Sequence, residues 1–124
     1  MSRLEHWIEI PTRKLSYGSA RQGIAADLTG ALLKVEETLQ EEDILILHLS
    51  IQGRQPIPDG AVVEISLDVA DIEPETLILP HRVEAFDDQG VKILDLDFSD
   101  ARLHISHQTP DAPEIIFACF FYMH

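Results

Sequence analysis

The sequence predicts a mainly β chain with one amphipathic helix, an α+β fold whose roughly six, largely antiparallel strands form a barrel or a sandwich. Short apolar runs alternate with a period of two, which is typical of strands that bury one face. Turns rich in Pro, Gly and Asp separate these runs, and only residues 19–41 have the helical period. Because 124 residues with 45% hydrophobic content can bury one substantial core, we expect a single globular domain over residues 1–124.

The first predicted strand covers residues 4–10 and ends before Pro11, which cannot donate a hydrogen bond to a sheet. Its core-facing positions are His6, Ile8 and Ile10. Trp7 falls on the opposite face, between Glu5 and Glu9. Since an exposed Trp is a frequent anchor of protein interfaces, Trp7 is a candidate interaction residue, and the alternative is that Trp7 covers a rim of the core.

The helix is predicted near residues 19–41, where apolar positions recur every three or four residues and Ser19 can cap the first turn. Gly23 and Gly30 lie inside this segment, and each costs about 1 kcal/mol relative to Ala. The acidic residues near its end also oppose the helix dipole. An alternative interpretation breaks the segment at Gly30 and makes residues 31–37 a strand. We favour the helix over this alternative.

The central part of the chain returns to the strand period. Residues 44–51 are apolar on both faces, which predicts a central strand covered on both sides, with the helix on one of them. His48 is therefore expected to be a hydrogen-bonded residue in or near the core. After a loop over residues 52–60, residues 61–69 alternate cleanly and predict an antiparallel strand with one solvated face.

The second half of the chain continues with short strands separated by turns. The predicted strands cover residues 76–79, 82–86, 91–98, 101–107 and 115–123. A Gly-containing connection over residues 87–90 predicts a hairpin. The alternation slips within residues 91–98, which predicts a bulge or a strand buried on both faces. The last strand is too apolar to form the edge of a sheet.

The charge of the chain is strongly negative and unevenly distributed. The net charge is -13; residues 22–124 contain 20 acidic and five basic residues, whereas residues 1–21 contain two acidic and four basic residues. A chain this acidic repels phosphate and anionic lipid, so we expect neither nucleic acid nor a membrane as partner. A protein with a basic surface fits better, and the alternative is that the charge serves solubility alone.

The cellular compartment is predicted from the cysteine content and the hydropathy. Cys119 is the only cysteine, so a disulfide within the chain and the small disulfide-rich class are excluded. We find no apolar run long enough for a membrane span and no signal-peptide pattern. These features predict a cytoplasmic protein.

We find no arrangement of residues that predicts catalysis. His104 and His107 are three positions apart, so on a strand they point to opposite faces and cannot share a metal ion. Cys119 lies in an apolar strand, where a thiol behaves as a small buried side chain. The sequence also lacks the glycine-rich phosphate loops and the Gly-x-Ser-x-Gly motif. We predict no catalytic residue, no cofactor and no metal site.

Three segments resemble PilZ domains in their spacing: Asp-Leu-Thr-Gly at 27–30, the strand at 43–49, and Leu-Pro-His-Arg-Val at 79–83. The resemblance implies a small barrel, which in many members binds a cyclic dinucleotide. The sequence departs from the nucleotide-binding motifs of the family. Arg13 is followed four positions later by Tyr17 rather than by a second Arg, and the Asp-x-Ser-x-x-Gly motif is one residue short. The resemblance thus implies a degenerate ligand-binding domain.

A second resemblance is to the tail-tube proteins of contractile secretion systems. Trp-Ile-Glu-Ile at 7–10, Ser-Tyr-Gly at 16–18 and the segment 100–122 look like the strand, loop and closing hairpin of those proteins. This resemblance implies a subunit of a larger assembly. We assign the chain to neither family.

The sequence therefore predicts a non-enzymatic, acidic interaction or assembly subunit, and the alternative is a degenerate PilZ-like ligand-binding domain without an intact nucleotide-binding motif. The expected partner is a protein, or a second copy of the chain in a homo-oligomer. Trp7 is the predicted anchor. Arg13, Lys14 and Arg21 are predicted to meet the acidic face of a neighbouring copy, in a contact that closes into a ring or continues as a filament.

Overall fold

Two four-stranded antiparallel sheets form the centre of the protein, and a two-stranded sheet accompanies them. The computed structural model describes residues 1–40, 43–69, 75–98, 102–105 and 114–123. The elements of these residues are β1 (Arg3–Pro11), β2 (Leu15–Gln22), α1 (Ile24–Asp27), β3 (Leu32–Gln40), β4 (Ile44–Gln52), β5 (Gly60–Val69), β6 (Glu75–Ile78), β7 (His81–Phe86), β8 (Leu96–Phe98), β9 (Arg102–Ile105) and β10 (Glu114–Met123). The predicted β-rich α+β class is confirmed, and the described strands form a sandwich rather than a closed barrel.

The first sheet has the strand order β3-β4-β1-β7. β4 pairs along its whole length with both β1 and β3, so the predicted central strand is confirmed. In the register of β1 with β4 and β7, Trp7 lies opposite both His48 and Arg82. These three side chains therefore share the outer face of the first sheet, because directly opposed residues point to the same side.

The second sheet has the strand order β2-β5-β10-β8, and β6 pairs with β9 in the two-stranded sheet. β10 pairs with both β5 and β8, which agrees with the prediction that the last strand is not an edge. A register shift between Tyr17 and Ser19 interrupts the pairing of β2 with β5, and another between Cys119 and Phe120 interrupts that of β10 with β5.

The inner faces of the two large sheets supply one hydrophobic core. Its fully buried members include Leu4, Ile8, Ile10, Leu47, Leu49, Ile51, Val63, Ile65 and Leu67. The alternation of the sequence predicts that Glu64, Asp68, Asp95 and Asp97 are exposed. In the structure Asp68, Asp95 and Asp97 are exposed and Glu64 is half-buried. The sequence pattern also predicts burial of four apolar side chains of the last strand, which lie outside the described part of the structure: Ile116, Phe117, Phe120 and Phe121.

The long helix predicted near residues 19–41 is reduced to the single turn of α1, and the alternative interpretation of the segment after Gly30 is the correct one. Gly30 has a φ of 66°, a left-handed conformation that ends the turn and that other residues rarely adopt. Gly23 lies so close to β5 that an added Cβ would be 2.3 Å from the Ala61 carbonyl oxygen. Gly23 thus allows the close approach to β5 and Gly30 allows the turn, and both are needed in the connection between β2 and β3.

The outer face of β4 is not covered by the helix, contrary to the prediction. α1 contacts β5 and β2 instead, and the described residues place no other layer over the outer face of the first sheet. His48 is consequently on this outer face rather than in the core, with 29% of its side chain exposed. It is hydrogen-bonded, as expected.

The predicted hairpin after β7 begins as expected and is then interrupted. The Asp87 carboxylate accepts hydrogen bonds from the backbone N–H groups of Gln89 and Val91, which explains why Asp is present in this turn. A single bridge joins Phe86 to Lys92, and regular strand structure resumes only at β8. This interruption lies within residues 91–98, where the alternation of apolar and polar residues slips in the sequence.

Candidate functional site

Trp7 stands on the outer face of the first sheet with both faces of its indole ring occupied. The His48 ring from β4 stacks on one side, with a centroid distance of 4.6 Å and an interplanar angle of 9°. The Arg82 guanidinium from β7 lies 4.0 Å from the indole centroid, in a cation–π contact. Neighbours from two strands therefore hold the ring, and it presents its remaining surface in a fixed orientation.

The carboxylate of Glu5, two residues before Trp7 on β1, holds the His48 ring in place. One oxygen of Glu5 lies 2.6 Å from His48 Nε2, and the other accepts a hydrogen bond of 2.9 Å from the Ser50 hydroxyl. Glu36, from β3, lies 3.7 Å from His48 Nδ1. The four strands of the first sheet thus contribute one connected polar and aromatic row, which we call the Trp7 face: Glu5, Trp7, Glu36, His48, Ser50 and Arg82.

The order of groups on the Trp7 face differs from that of a hydrolytic triad. A triad places a histidine between the serine and the carboxylate, so that the imidazole accepts the hydroxyl proton. Here the Glu5 carboxylate lies between Ser50 and His48, and it holds both side chains. The arrangement orients the His48 ring that stacks on Trp7, and it does not activate Ser50 through His48.

A surface pocket of about 310 Å³ lies beside the indole. Its lining residues are Trp7, Glu9, Ile46, Pro80, His81 and Arg82. Trp7 and Arg82 supply an aromatic ring and a positive charge to the lining, and Glu9 supplies a negative charge. The volume is at the lower end of the range of small-molecule pockets, roughly 300–1,000 Å³.

A histidine pair joins β1 to β7, with His6 buried on the inner side of β1 and His81 half-buried at the start of β7. His6 is 1% exposed, and its Nε2 atom is 3.0 Å from His81 Nδ1 on β7. Burial, and secondarily the charge of His81, lower the pKa of His6 from 6.5 to about 3. His6 is therefore neutral at physiological pH, and it connects the core to the half-buried His81.

The predicted basic residues are placed apart from the Trp7 face. Arg13 lies in the turn after β1 and pairs with Asp43 at 2.9 Å. Arg21 pairs with Glu64, which points outward from the second sheet. Their side chains remain 77% and 70% exposed, and Lys14 in the same turn as Arg13 is half-buried. The structure thus separates Trp7 from Arg21 by the thickness of the sandwich.

Sequence reasoning identified Trp7 and missed the residues that hold it. His48 and Arg82 are distant from Trp7 in the chain, and only the register of β1 with β4 and β7 brings them together. Glu5 was seen only as a neighbour of Trp7 on its own strand. A signal was present in the strand parity of His48 and Ser50, because both lie on the face of β4 opposite Leu47 and Leu49.

The described residues contain neither a cluster of metal-binding side chains nor a helix that could span a membrane. Within the described residues, no group of three or more His, Cys, Asp or Glu side chains could hold a metal ion. The helical segments in that part of the chain are too short to cross a bilayer. The side chains of His104 and His107 lie outside the described part.

Comparison of the chain with protein-family models, with curated proteins and with solved structures finds no match.

Proposed function

We propose that the chain is a non-enzymatic, acidic assembly subunit that binds a protein with a basic surface through the Trp7 face. The observation that carries the proposal is the indole of Trp7, fixed between His48 and Arg82 on an outer sheet face that no other layer covers within the described structure. An aromatic side chain with a fixed orientation loses little conformational entropy on binding, which suits an interface anchor.

The outer face around Trp7 carries both signs of charge, because Arg82 and Lys34 lie beside its acidic side chains, and it is the acidity of the chain as a whole that supports a basic partner. Glu9 and Glu84 also lie on the outer face of the first sheet. The side chain of Glu36, on the edge strand β3, is 76% exposed. The net charge of -13 attracts a basic protein at long range. A second copy of the chain is one source of such a surface, since Arg13 and Arg21 are exposed on other parts of the fold. Cytoplasmic location belongs to the same proposal, with the single cysteine as its support.

The experiment is affinity capture from native lysate with the parent and with Trp7→Ala as baits, at about 0.1 M and about 1 M salt. We expect a basic protein that the parent captures at low salt, that Trp7→Ala captures at least about tenfold less, and that high salt removes. Arg21→Met is the matched control, because it changes an exposed residue of the other sheet. Equal capture by the parent and Trp7→Ala contradicts the proposal.

A second candidate function is ligand binding in the pocket beside Trp7, as the degenerate PilZ-like alternative requires. The pocket and the Arg82 guanidinium at its wall favour this candidate. Trp7 is the only tryptophan, so its fluorescence reports directly on the pocket. Titration with a cyclic dinucleotide that saturates a change in this fluorescence supports the second candidate, and an unchanged spectrum removes it.

A further inference from the structure

β3 forms an open edge of the first sheet. It is paired with β4 over all of Leu32–Gln40, and no other described strand pairs with it. Glu36, Glu37, Thr38, Leu39 and Gln40 are exposed, and 66% of Leu39 is accessible. A regular edge strand of this length presents a row of backbone N–H and C=O groups that can pair with another chain.

We propose that β3 pairs with β3 of a second copy of this chain, in an antiparallel arrangement with Val35 on the two-fold axis. The first sheet of one copy and the first sheet of the other then form one continuous sheet. This inference goes beyond the proposed function, because it uses the strand edge and leaves Trp7 free for the protein partner.

The charges of β3 select this register. The register with β4 places Lys34 and Glu36 on the outer face, opposite Ser50 and His48. With Val35 on the axis, Lys34 of each copy lies directly opposite Glu36 of the other copy, so symmetry creates two ion pairs. Opposite charges in directly opposed positions stabilise a pair of strands.

Every other axis within β3 lacks the two ion pairs between Lys34 and Glu36, and three of these axes also oppose like charges. An axis at Lys34 places Lys34 opposite Lys34, an axis at Glu36 places Glu36 opposite Glu36, and an axis at Glu37 places Glu37 opposite Glu37. Like charges directly opposite one another destabilise strand pairing. The axis at Val35 avoids all three of these contacts.

The inner face of β3 is compatible with the same axis. Leu33 and Val35 are partly buried and pack against the core. The axis brings Val35 of the two copies together, which extends the apolar inner face across the junction. Glu37 falls opposite Leu33, at the end of β3 where the Glu37 side chain is exposed to solvent.

Sedimentation equilibrium over a range of concentrations tests the proposal with charge variants. The parent is expected to dimerise. Glu36→Lys places Lys opposite Lys34 twice, so we expect dimerisation to weaken at least about tenfold. The exchange Lys34→Glu with Glu36→Lys restores both ion pairs and should restore the dimer. Glu37→Lys makes the same charge change on the other face and should leave the dimer intact.

Each outcome decides the proposal. A parent that stays monomeric over the whole range overturns it, and so does a double exchange that fails to recover the dimer while circular dichroism shows a folded protein. Val35→Cys gives an independent readout, since directly opposed residues are within disulfide reach and mild oxidation should link the two copies. Thr38→Cys, whose expected neighbour is Leu32, should not link to itself. Trp7→Ala retains this dimer and loses only the protein partner, so the two proposals fail separately.

Discussion

Burial of His6 predicts that acid destabilises this protein in a defined pH window. The pKa of His6 is lowered to about 3 in the folded chain, whereas its ordinary value is 6.5. Between these values the unfolded chain binds a proton and the folded chain does not. Stability contributed by neutral His6 is therefore complete above the unfolded pKa and decreases as the pH falls through 6.5.

The size of the effect follows from the width of the window. Each pH unit below the unfolded pKa costs about 1.4 kcal/mol, so lowering the pH from about 7.5 to about 5 should cost about 2 kcal/mol through His6 alone. This is a large share of the total stability of a typical domain, about 5–15 kcal/mol. The effect is confined to one residue and can be removed by one substitution.

The assay is urea denaturation of the parent and of His6→Gln at the two pH values. Gln does not titrate, and its amide offers both a donor and an acceptor towards the His81 ring, which lies 3.0 Å from the His6 ring in the parent. The variant should lose about 2 kcal/mol less than the parent on acidification. His81→Gln leaves His6 buried, and since burial is the larger cause of the lowered pKa, most of the pH dependence should remain. Parallel pH profiles of the parent and His6→Gln would refute the reasoning.

Four further substitutions test the packing and the polar contacts. Gly23→Ala should destabilise the protein by about 1–3 kcal/mol in thermal or urea unfolding, because its Cβ would collide with β5. Gly90→Ala has open space around it and should cost only about 1 kcal/mol, from its left-handed backbone alone. Glu5→Gln weakens the bond to His48, and we expect a loss of about 1–2 kcal/mol together with altered Trp fluorescence. Arg21→Met removes an exposed ion pair, so its free energy of unfolding should stay within about 0.5 kcal/mol of the parent value.

The strands with regular alternation could be predicted because one of their faces is buried. β1, residues 47–51 of β4 and residues 63–69 of β5 alternate between buried and outward positions, and the structure places the boundaries of these strands within a few residues of the prediction. β2 was missed because the shift between Tyr17 and Ser19 breaks its alternation. β3 was read as helix because its far end is exposed, so Leu39 is apolar without being buried.

The candidate site was predictable only in its centre. Trp7 could be identified from its own strand, since parity alone separates it from His6 and Ile8. Its contacts with His48 and Arg82 depend on the pairing of three strands, and a single sequence contains no direct record of strand register. Nonlocal contacts of this kind became visible only when the register was known.

The most direct test of the proposed interface is the affinity of the captured basic protein for the parent and for Trp7→Ala, measured by calorimetry at about 0.1 M salt. An interface anchor contributes about 2 kcal/mol or more, so we expect the affinity of Trp7→Ala to fall at least about thirtyfold. Glu37→Lys, which lies off the Trp7 face, should bind as the parent does. Equal affinities of the parent and Trp7→Ala would contradict the account.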